Sequence, residues 1–546
     1  MKHFYSWLGL FSLLFITSCT PEMQGELEEI LTEAKNTYYI SPAGNDANSG
    51  NSPDDAWQSI EKVNQMQFEP GSKILFEGGK SFSGNLYFTV GDGNDAGNPI
   101  KITSYGTGRA TIKAGDKDGI YVYNTAGIII DNLIFSGSGM YSNTASGINF
   151  YNDLPGNVKL EKVEITNCEV TGFRNFGIVI GAYNGNSGFN NVLLENNKVH
   201  GILDAGISSY GEFSATKTGY AHSNITVRNC EVFNIPGYSK PNSHSGNGIV
   251  LGDVQKSVIE YSTVYDCGQG NTHCGGPVGI WYWDADQVTI QHNEAYNISS
   301  GTGCDGGGFD LDGGVTNGIM QYNYSHDNDG AGYLVGQFGG ARPMNNIIVR
   351  YNISENDAAT NGGSVYLFNG ATQMDNIYVY NNTFYIKEQA GNRSSAAIKM
   401  LDWRVIKGNI QFNNNILYAS NGADLVSIPK GYSASLKGNL YYSPDAFNIA
   451  FQGNNFGSLE SFRVTGNEKL NDVNLGFEGD PMLKAPGSGI TIGHGRDLAT
   501  LTSYQLKTES PAKNIGLNLP NEIGNRDYFG GSPLKESSQD IGAHEL

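Results

Sequence analysis

Residues 279–323 state one pattern twice: Gly279-Ile280-Trp281-Tyr282 then Ile290-Gln291-His292-Asn293, and Gly308-Phe309-Asp310-Leu311 then Met320-Gln321-Tyr322-Asn323. Upstream, the opening piece returns as Gly177-Ile178-Val179-Ile180, Gly206-Ile207-Ser208-Ser209 and Gly248-Ile249-Val250-Leu251. Downstream it reads Gly332-Tyr333-Leu334-Val335, Ser364-Val365-Tyr366-Leu367 and Ala397-Ile398-Lys399-Met400. The second piece has its own copies, among them Ile165-Thr166-Asn167-Cys168, Leu194-Glu195-Asn196-Asn197, Val349-Arg350-Tyr351-Asn352 and Val379-Tyr380-Asn381-Asn382. Such a unit cannot bury its apolar face alone, whereas stacked units share one core. The expected fold class is therefore all-β, a parallel β-helix with coils about 4.8 Å apart. The fourth place of the second piece holds Asn197, Asn293, Asn323, Asn352, Asn382 and Asn415, with Cys168 and Cys230 in two copies. Asparagines stacked at one place hydrogen-bond along a column and satisfy turn backbones.

Composition agrees with a β-rich exported protein. The 546 residues carry 34 Lys+Arg against 54 Asp+Glu, a net charge of −20, with 73 Gly and 31 Tyr. A 39% hydrophobic share excludes disorder over most of the length. The negative balance argues against a nucleic-acid partner, which requires clustered Lys and Arg.

At the start, Lys2 precedes the apolar run Trp7 to Ile16, which is too short for a membrane span and reads as a secretory signal. Its ending, Ile16-Thr17-Ser18-Cys19, resembles a bacterial lipobox, which makes Cys19 the lipidation site. Residues 20–37 carry five glutamates and no aromatic residue, as suits a solvated tether or a short surface helix. The expected organisation is a signal peptide over 1–18, an acidic tether over 19–37, a β-helix with an N-terminal cap over 38–431, and further coils or a cap over 432–546. The expected location is the bacterial outer membrane, on its periplasmic side or at the cell surface, through a lipid anchor, with the chain a monomer. Of the later cysteines, Cys267 and Cys274 share one loop and are a candidate pair. A zinc site from Cys267, His273 and Cys274 lacks a fourth ligand at regular spacing.

The entry Tyr38-Tyr39-Ile40-Ser41-Pro42-Ala43-Gly44-Asn45-Asp46 resembles that of secreted bacterial right-handed parallel β-helix proteins active on carbohydrates, with polysaccharide lyases prominent among them. The pieces Trp57-Gln58-Ser59-Ile60 and Gln539-Asp540-Ile541-Gly542-Ala543-His544 continue the likeness. The resemblance implies a right-handed helix and a glycan partner, an acidic one if the lyase likeness holds. It leaves the reaction open, because one scaffold hosts lyases, hydrolases and adhesins.

Strand alternation locates the chemistry. The second and fourth residues of each opening piece point inward, so the third and fifth form two outward columns. Trp281 and Trp283 then lie one coil from Asp310 and Asp312, and Tyr366 and Phe368 lie two coils beyond. Exposed indoles beside carboxylates suit sugar rings, which offer apolar faces and hydroxyls. Neighbouring turns add Asp253, Asp284, Asp286, His244, His273, Asp305, His326, Asp327, Asp329 and Arg342. Asp284, Asp310 and Asp312 are candidate ligands for Ca²⁺, a hard ion that prefers carboxylate oxygens, and no organic cofactor is expected. The same aspartates also suit plain turn caps beside Gly306-Gly307-Gly308, and His326 suits a solvated loop.

Three functions stay open. In β-elimination at a uronic acid, by a lyase or a dehydratase, His273, His326 or Tyr366 takes the C5 proton while Arg342 or Lys399 neutralises the carboxylate. Lys399 stands about 14 Å from Asp310, three strand spacings away. An inverting glycoside hydrolase uses Asp310 and Asp312, whose Cα atoms are about 6.6 Å apart along one strand. A non-catalytic glycan binder keeps Trp281, Trp283 and Phe368 for contact alone. Elimination leads, on the resemblance to lyases.

Overall fold

Each opening strand buries its second and fourth residues, and the register stacks like on like. The computed structural model describes residues 36–370, 373–392, 394–401, 408–519 and 524–546. The signal segment, Cys19 and nearly all of the acidic tether lie outside the described residues. Ile178, Ile207, Ile249, Ile280, Phe309, Tyr333, Val365 and Ile398 pair in succession through parallel strands. All eight are 0% exposed. At about 1.5–3 kcal/mol for each large apolar side chain buried, this column supplies the main cohesion of the stack.

The coil contains three strands, one more than the repeated pieces reveal. The opening and second pieces join a 26-stranded sheet, while the third strand belongs to a separate 14-stranded sheet. Copies of that third strand include Glu169–Phe173, Lys198–Ile202, Glu231–Ile235, Thr263–Cys267 and Glu294–Ile298. The turn between second and third strands is where the asparagine column stands. Asn323 donates through Nδ2 to Asn352 Oδ1 at 3.0 Å, Asn352 to Asn382 at 3.0 Å, and Asn382 to Asn415 at 2.9 Å. Each Oδ1 also accepts the preceding coil's backbone N–H, as Asn352 does from Asn323 at 3.0 Å. Ser262 fills one coil of this column, and Asn439 with Glu468 closes it.

The residue just before each column member takes the left-handed conformation, φ 49–59° at Asn167, Asn196, Tyr261, His292, Tyr322 and Tyr351. Where the residue is aromatic, the rings stack along the axis, Tyr261 on His292 at 5.0 Å and His292 on Tyr322 at 4.9 Å. That contact offsets the backbone cost of a bulky residue at positive φ.

The coils end near Ile449–Phe451, and the chain then runs back along the flank of the 14-stranded sheet. Leu483, Leu498, Leu501, Tyr504, Tyr528 and Ile541 pack there against Tyr324, Ile353, Ile416 and Leu440. His326 belongs to this seam and not to a solvated loop or a reaction site. It is 1% exposed in the 14-stranded sheet, stacked on Tyr324 at 4.4 Å and bonded to Glu294 at 3.3 Å and Asp327 at 2.9 Å. Glu294 in turn accepts the amides of Ile492 and Gly493 at 2.7 and 2.6 Å.

Two predictions follow from this frame. Asn352→Ala removes partners from Asn323, Met320 and Asn382, so it costs about 3 kcal/mol in denaturant unfolding, since each buried group left unpaired costs about 1–3 kcal/mol. The exposed Lys113→Ala, on the strand Ala110–Gly115, costs under about 0.5 kcal/mol in the same assay. Burial opposes protonation of His326, but bonds to Asp327 and Glu294 and their charges outweigh it and hold its pKa near 9. A folded pKa above the ordinary value means stabilisation that is complete below pH 6.5 and is lost as pH rises through about 9. Thermal unfolding of the wild type should therefore show a fall in midpoint between pH 7 and 10 that His326→Gln lacks.

Candidate active site

The two outward columns run across the opening strands as the alternation predicts. Val250, Trp281, Asp310, Leu334, Tyr366 and Lys399 are consecutive register partners. In the second column Gly252 pairs with Trp283, and Gly336 pairs with Phe368. The aromatic rings of this column lie back over glycines. A Cβ at Gly252 would fall 2.3 Å from the Trp283 indole, and one at Gly336 would fall 2.6 Å from the Phe368 ring.

The face is not open as the alternation alone suggests. Loops fold over it and enclose a cavity of about 850 Å³ lined by Trp281, Trp283, Asp305, Asp310, Asp312 and Tyr366 among others. Trp281 is only 4% exposed, with His244 packed 5.7 Å from it. Phe213 covers the Trp283 side at 5.8 Å and also meets Phe338 at 6.1 Å.

The Phe213 loop is clamped by buried charges. Lys217 pairs with Asp253, and Arg342 pairs with Asp284 while donating to the carbonyls of Lys217 and Gly219 at 3.3 and 3.1 Å. Its guanidinium also lies 4.1 Å from the Tyr220 ring centre. Arg342 and Asp284 thus hold a loop in place and do not line the cavity. Asp284 is paired with Arg342 and does not line the cavity that Asp310 and Asp312 share, so the three do not assemble as the expected calcium set. Among the described residues no group of three or more His, Cys, Asp or Glu is arranged to hold a metal ion.

Asp305 enters from another loop. The disulfide joins Cys274 to Cys304, not to Cys267, which is buried and free. It ties loop 268–277 to loop 299–306, and next to it Asp305 Oδ2 accepts the amides of Gly275 and Gly276 at 2.7 and 2.9 Å. His273 sits in the same loop outside the cavity, with Nδ1 3.3 Å from the Thr272 hydroxyl. Lys399 is likewise outside, donating to Ser394 O at 2.8 Å and Oγ at 3.0 Å.

Four carboxyls line the cavity; Asp204 is paired with Lys240, and the other three stand in unequal surroundings. Asp310 is 2% exposed and is held well above the usual carboxylate range by burial, then by the charges of Asp312 and Asp305. Asp312, 9% exposed, is pushed up to about 7 by burial, with Asp305 adding and the Gly313 amide opposing. Burial also raises Asp305, against the two amides that stabilise its charge. Oδ1 of Asp310, Oδ1 of Asp312 and Nε1 of Trp281 are buried without a hydrogen-bond partner. Buried polar atoms are rarely left so, and three of them around one cavity point to a ligand that brings hydroxyls.

A curated lacto-N-biosidase of Bifidobacterium longum subsp. longum is 24% identical over a 476-residue alignment covering 69% of this chain and 29% of that protein. The chain thus spans less than a third of that relative's length. Among solved structures, the GH136 lacto-N-biosidase from Eubacterium ramulus superposes with a TM-score of 0.52 at 19% identity, covering 69% of this chain and 68% of that one. Its native form gives 0.50 at 18% identity, over 70% and 69% of the respective chains. At these identities the likeness speaks for the fold. The model described as "Right handed beta helix region" matches residues 103–271 and 188–384, which together span more than half of the chain. With three parallel strands to each coil and that match, the chain belongs to the right-handed parallel β-helix family.

Proposed function

We propose that the chain is a carbohydrate-active enzyme, a glycoside hydrolase acting on neutral glycans. The observation that carries this reading is the set of three unequal carboxyls in one aromatic-walled cavity. The separation of their environments supplies an acid and a base together. Asp312, protonated up to about pH 7, gives its proton to the glycosidic oxygen as the bond to the anomeric carbon breaks. Asp305, whose charged form two amides stabilise against the opposing effect of burial, faces the developing positive charge and either adds to the anomeric carbon or takes a proton from the water that does. Water finally supplies the new hydroxyl. Asp310 keeps its proton and binds a substrate hydroxyl beside them.

Elimination at a uronate loses ground because the carboxylate would need a cation. Lys240 is the one Lys or Arg among the described residues lining the cavity, and it is paired with Asp204 at 2.7 Å. Among the described residues, an acidic substrate would meet four carboxyls and no Lys or Arg outside that ion pair. The likeness to lacto-N-biosidases, glycosidases by name, adds to the hydrolytic reading. Export and lipid anchorage through Cys19 remain part of the proposal.

The expected outcome with neutral oligosaccharides or aryl glycosides is release of reducing ends with no ultraviolet band of an unsaturated uronate. Asp312→Asn and Asp305→Asn should each lower kcat at least about 100-fold, the scale of a lost general acid or base. Asp310→Asn, an isostere of the protonated acid, should lose less than tenfold. The rate should fall as pH rises through about 7, where Asp312 gives up its proton. A rising absorbance on any uronate-bearing glycan overturns the proposal, and so do neutral glycans that bind yet are never cleaved.

A further inference from the structure

The aromatic columns do not stop at the cavity. Going toward the N-terminus, Trp283 is followed in the second column by Gly252, Tyr210, Gly181, Tyr151 and Tyr123, whose strands pair in register. In the first column Asn149 is followed by Tyr121 and Tyr87. Tyr123 stacks on Tyr151 at 6.3 Å and 10°, and on Tyr121 at 5.9 Å and 22°. Tyr87, 40% exposed, continues the row at 5.9 Å from Tyr121.

Tyr210 bridges the row to the cavity it lines. A Cβ at Gly181 would fall 2.6 Å from its ring, so the ring lies back over the preceding coil as Trp283 and Phe368 do over theirs. Burial raises its hydroxyl to about 12, and the charges of Tyr151 and Asp118 add to the shift, which places all three groups within electrostatic reach. Tyr210, Trp283 and the glycines beneath them make flat tiles two strand spacings apart, about 9.5 Å. That is close to the length of two linked pyranose rings. From Tyr121 to Trp281 the face runs five spacings, about 24 Å.

Polar groups beside the tiles are acceptors. Asp153 takes a bond from Tyr123 Oη at 3.1 Å, and Asp118 takes one from the Asn149 side chain. Asn149 Oδ1, between the two tyrosine rows, is buried with no partner. The strands Leu86–Phe88, Ile120–Tyr123, Ile148–Asn152, Phe176–Ala182 and Ala205–Tyr210 contain no Lys or Arg. Aromatic faces for ring C–H groups, carboxylates for hydroxyls and strands without Lys or Arg describe a surface for an uncharged sugar polymer.

We propose that the ribbon of Tyr87, Tyr121, Tyr123, Tyr151 and Tyr210 is a binding track for the extension of a linear neutral glycan whose reacting end occupies the Trp281 cavity. This rests on the hydrolase reading only for what happens in the cavity. The ribbon itself predicts affinity that grows with chain length.

The test is calorimetric titration of Asp312→Asn, which keeps the cavity but not turnover. The probes are dimers and hexamers of cello-, laminari- and N-acetylglucosamine oligosaccharides, with oligogalacturonate as the charged counterpart. At least one neutral hexamer should bind about tenfold more tightly than its dimer. Adding Tyr121→Ala and Tyr151→Ala should remove that gain while dimer affinity and melting temperature hold. Tyr87→Ala, at an exposed position, should remove part of it and guards against misfolding of the double variant. No length dependence with any neutral series, or tighter binding of oligogalacturonate, overturns the track. Length-dependent binding without wild-type cleavage would sink the hydrolase reading alone, and cleavage without length dependence would sink the track alone.

Discussion

Register between coils is the constraint on which everything else depends, and the buried asparagine column fixes it. Each Asn side chain bonds both the backbone and the side chain of its neighbour, so a slip of one residue would break several buried bonds at once. Apolar stacking alone tolerates exchange among Ile, Val and Phe and specifies register weakly. The polar column makes one alignment far better than its rivals. Side chains some 30 residues apart in the chain thereby become neighbours one strand spacing apart.

The site is built by this register together with loops that obey no repeat. Trp281 and Asp310 meet because their strands pair, and glycines at 252 and 336 let the next ring lie flat on the sheet. Asp305 is different: it stands in the cavity because a disulfide and two backbone amides hold its loop. The sheet supplies the floor and the aromatic wall, and the loops supply the third acid and the exclusion of water. Excluding water is what raises the two floor carboxyls, since a charged form loses most when solvent is removed.

How much of this the sequence disclosed follows from what repetition can show. The opening strands, the asparagine column and the pairing of Trp281 with Asp310 were legible because each recurs at a fixed place in many copies. The third strand was not read although Val170, Val199, Val232 and Val264 recur at its second place and Phe173, Ile202, Ile235 and Cys267 at its fifth, because it follows the asparagine column so closely that it passes for a continuation of the second piece. Closure of the face was hidden too, since Phe213 and His244 lie in loops of unequal length. His326, Arg342, Asp284 and Lys399 have types suited to chemistry, yet each is engaged in holding structure: a sheet seam, a loop clamp, a turn. Asp305 carried one available signal, its place directly after Cys304, in the loop facing Cys274. Sequence alone offered Cys267 as a partner for Cys274 in the same loop, which hid the pairing across two loops.

The segment from Leu483 to Ile541 lies against strands of the coils that span Tyr324 to Leu440, earlier in the chain. During synthesis those coils are complete while the strip that seals their side is still unmade. Until residues 483–541 emerge, Tyr324, Ile353 and Ile416 remain an uncovered greasy stripe, and Glu294 and Glu355 lack the amides that later bond to them. The 483–541 segment thus acts as a zipper, so a chain that lacks it would keep its wound coils and still be prone to sticking to its own kind.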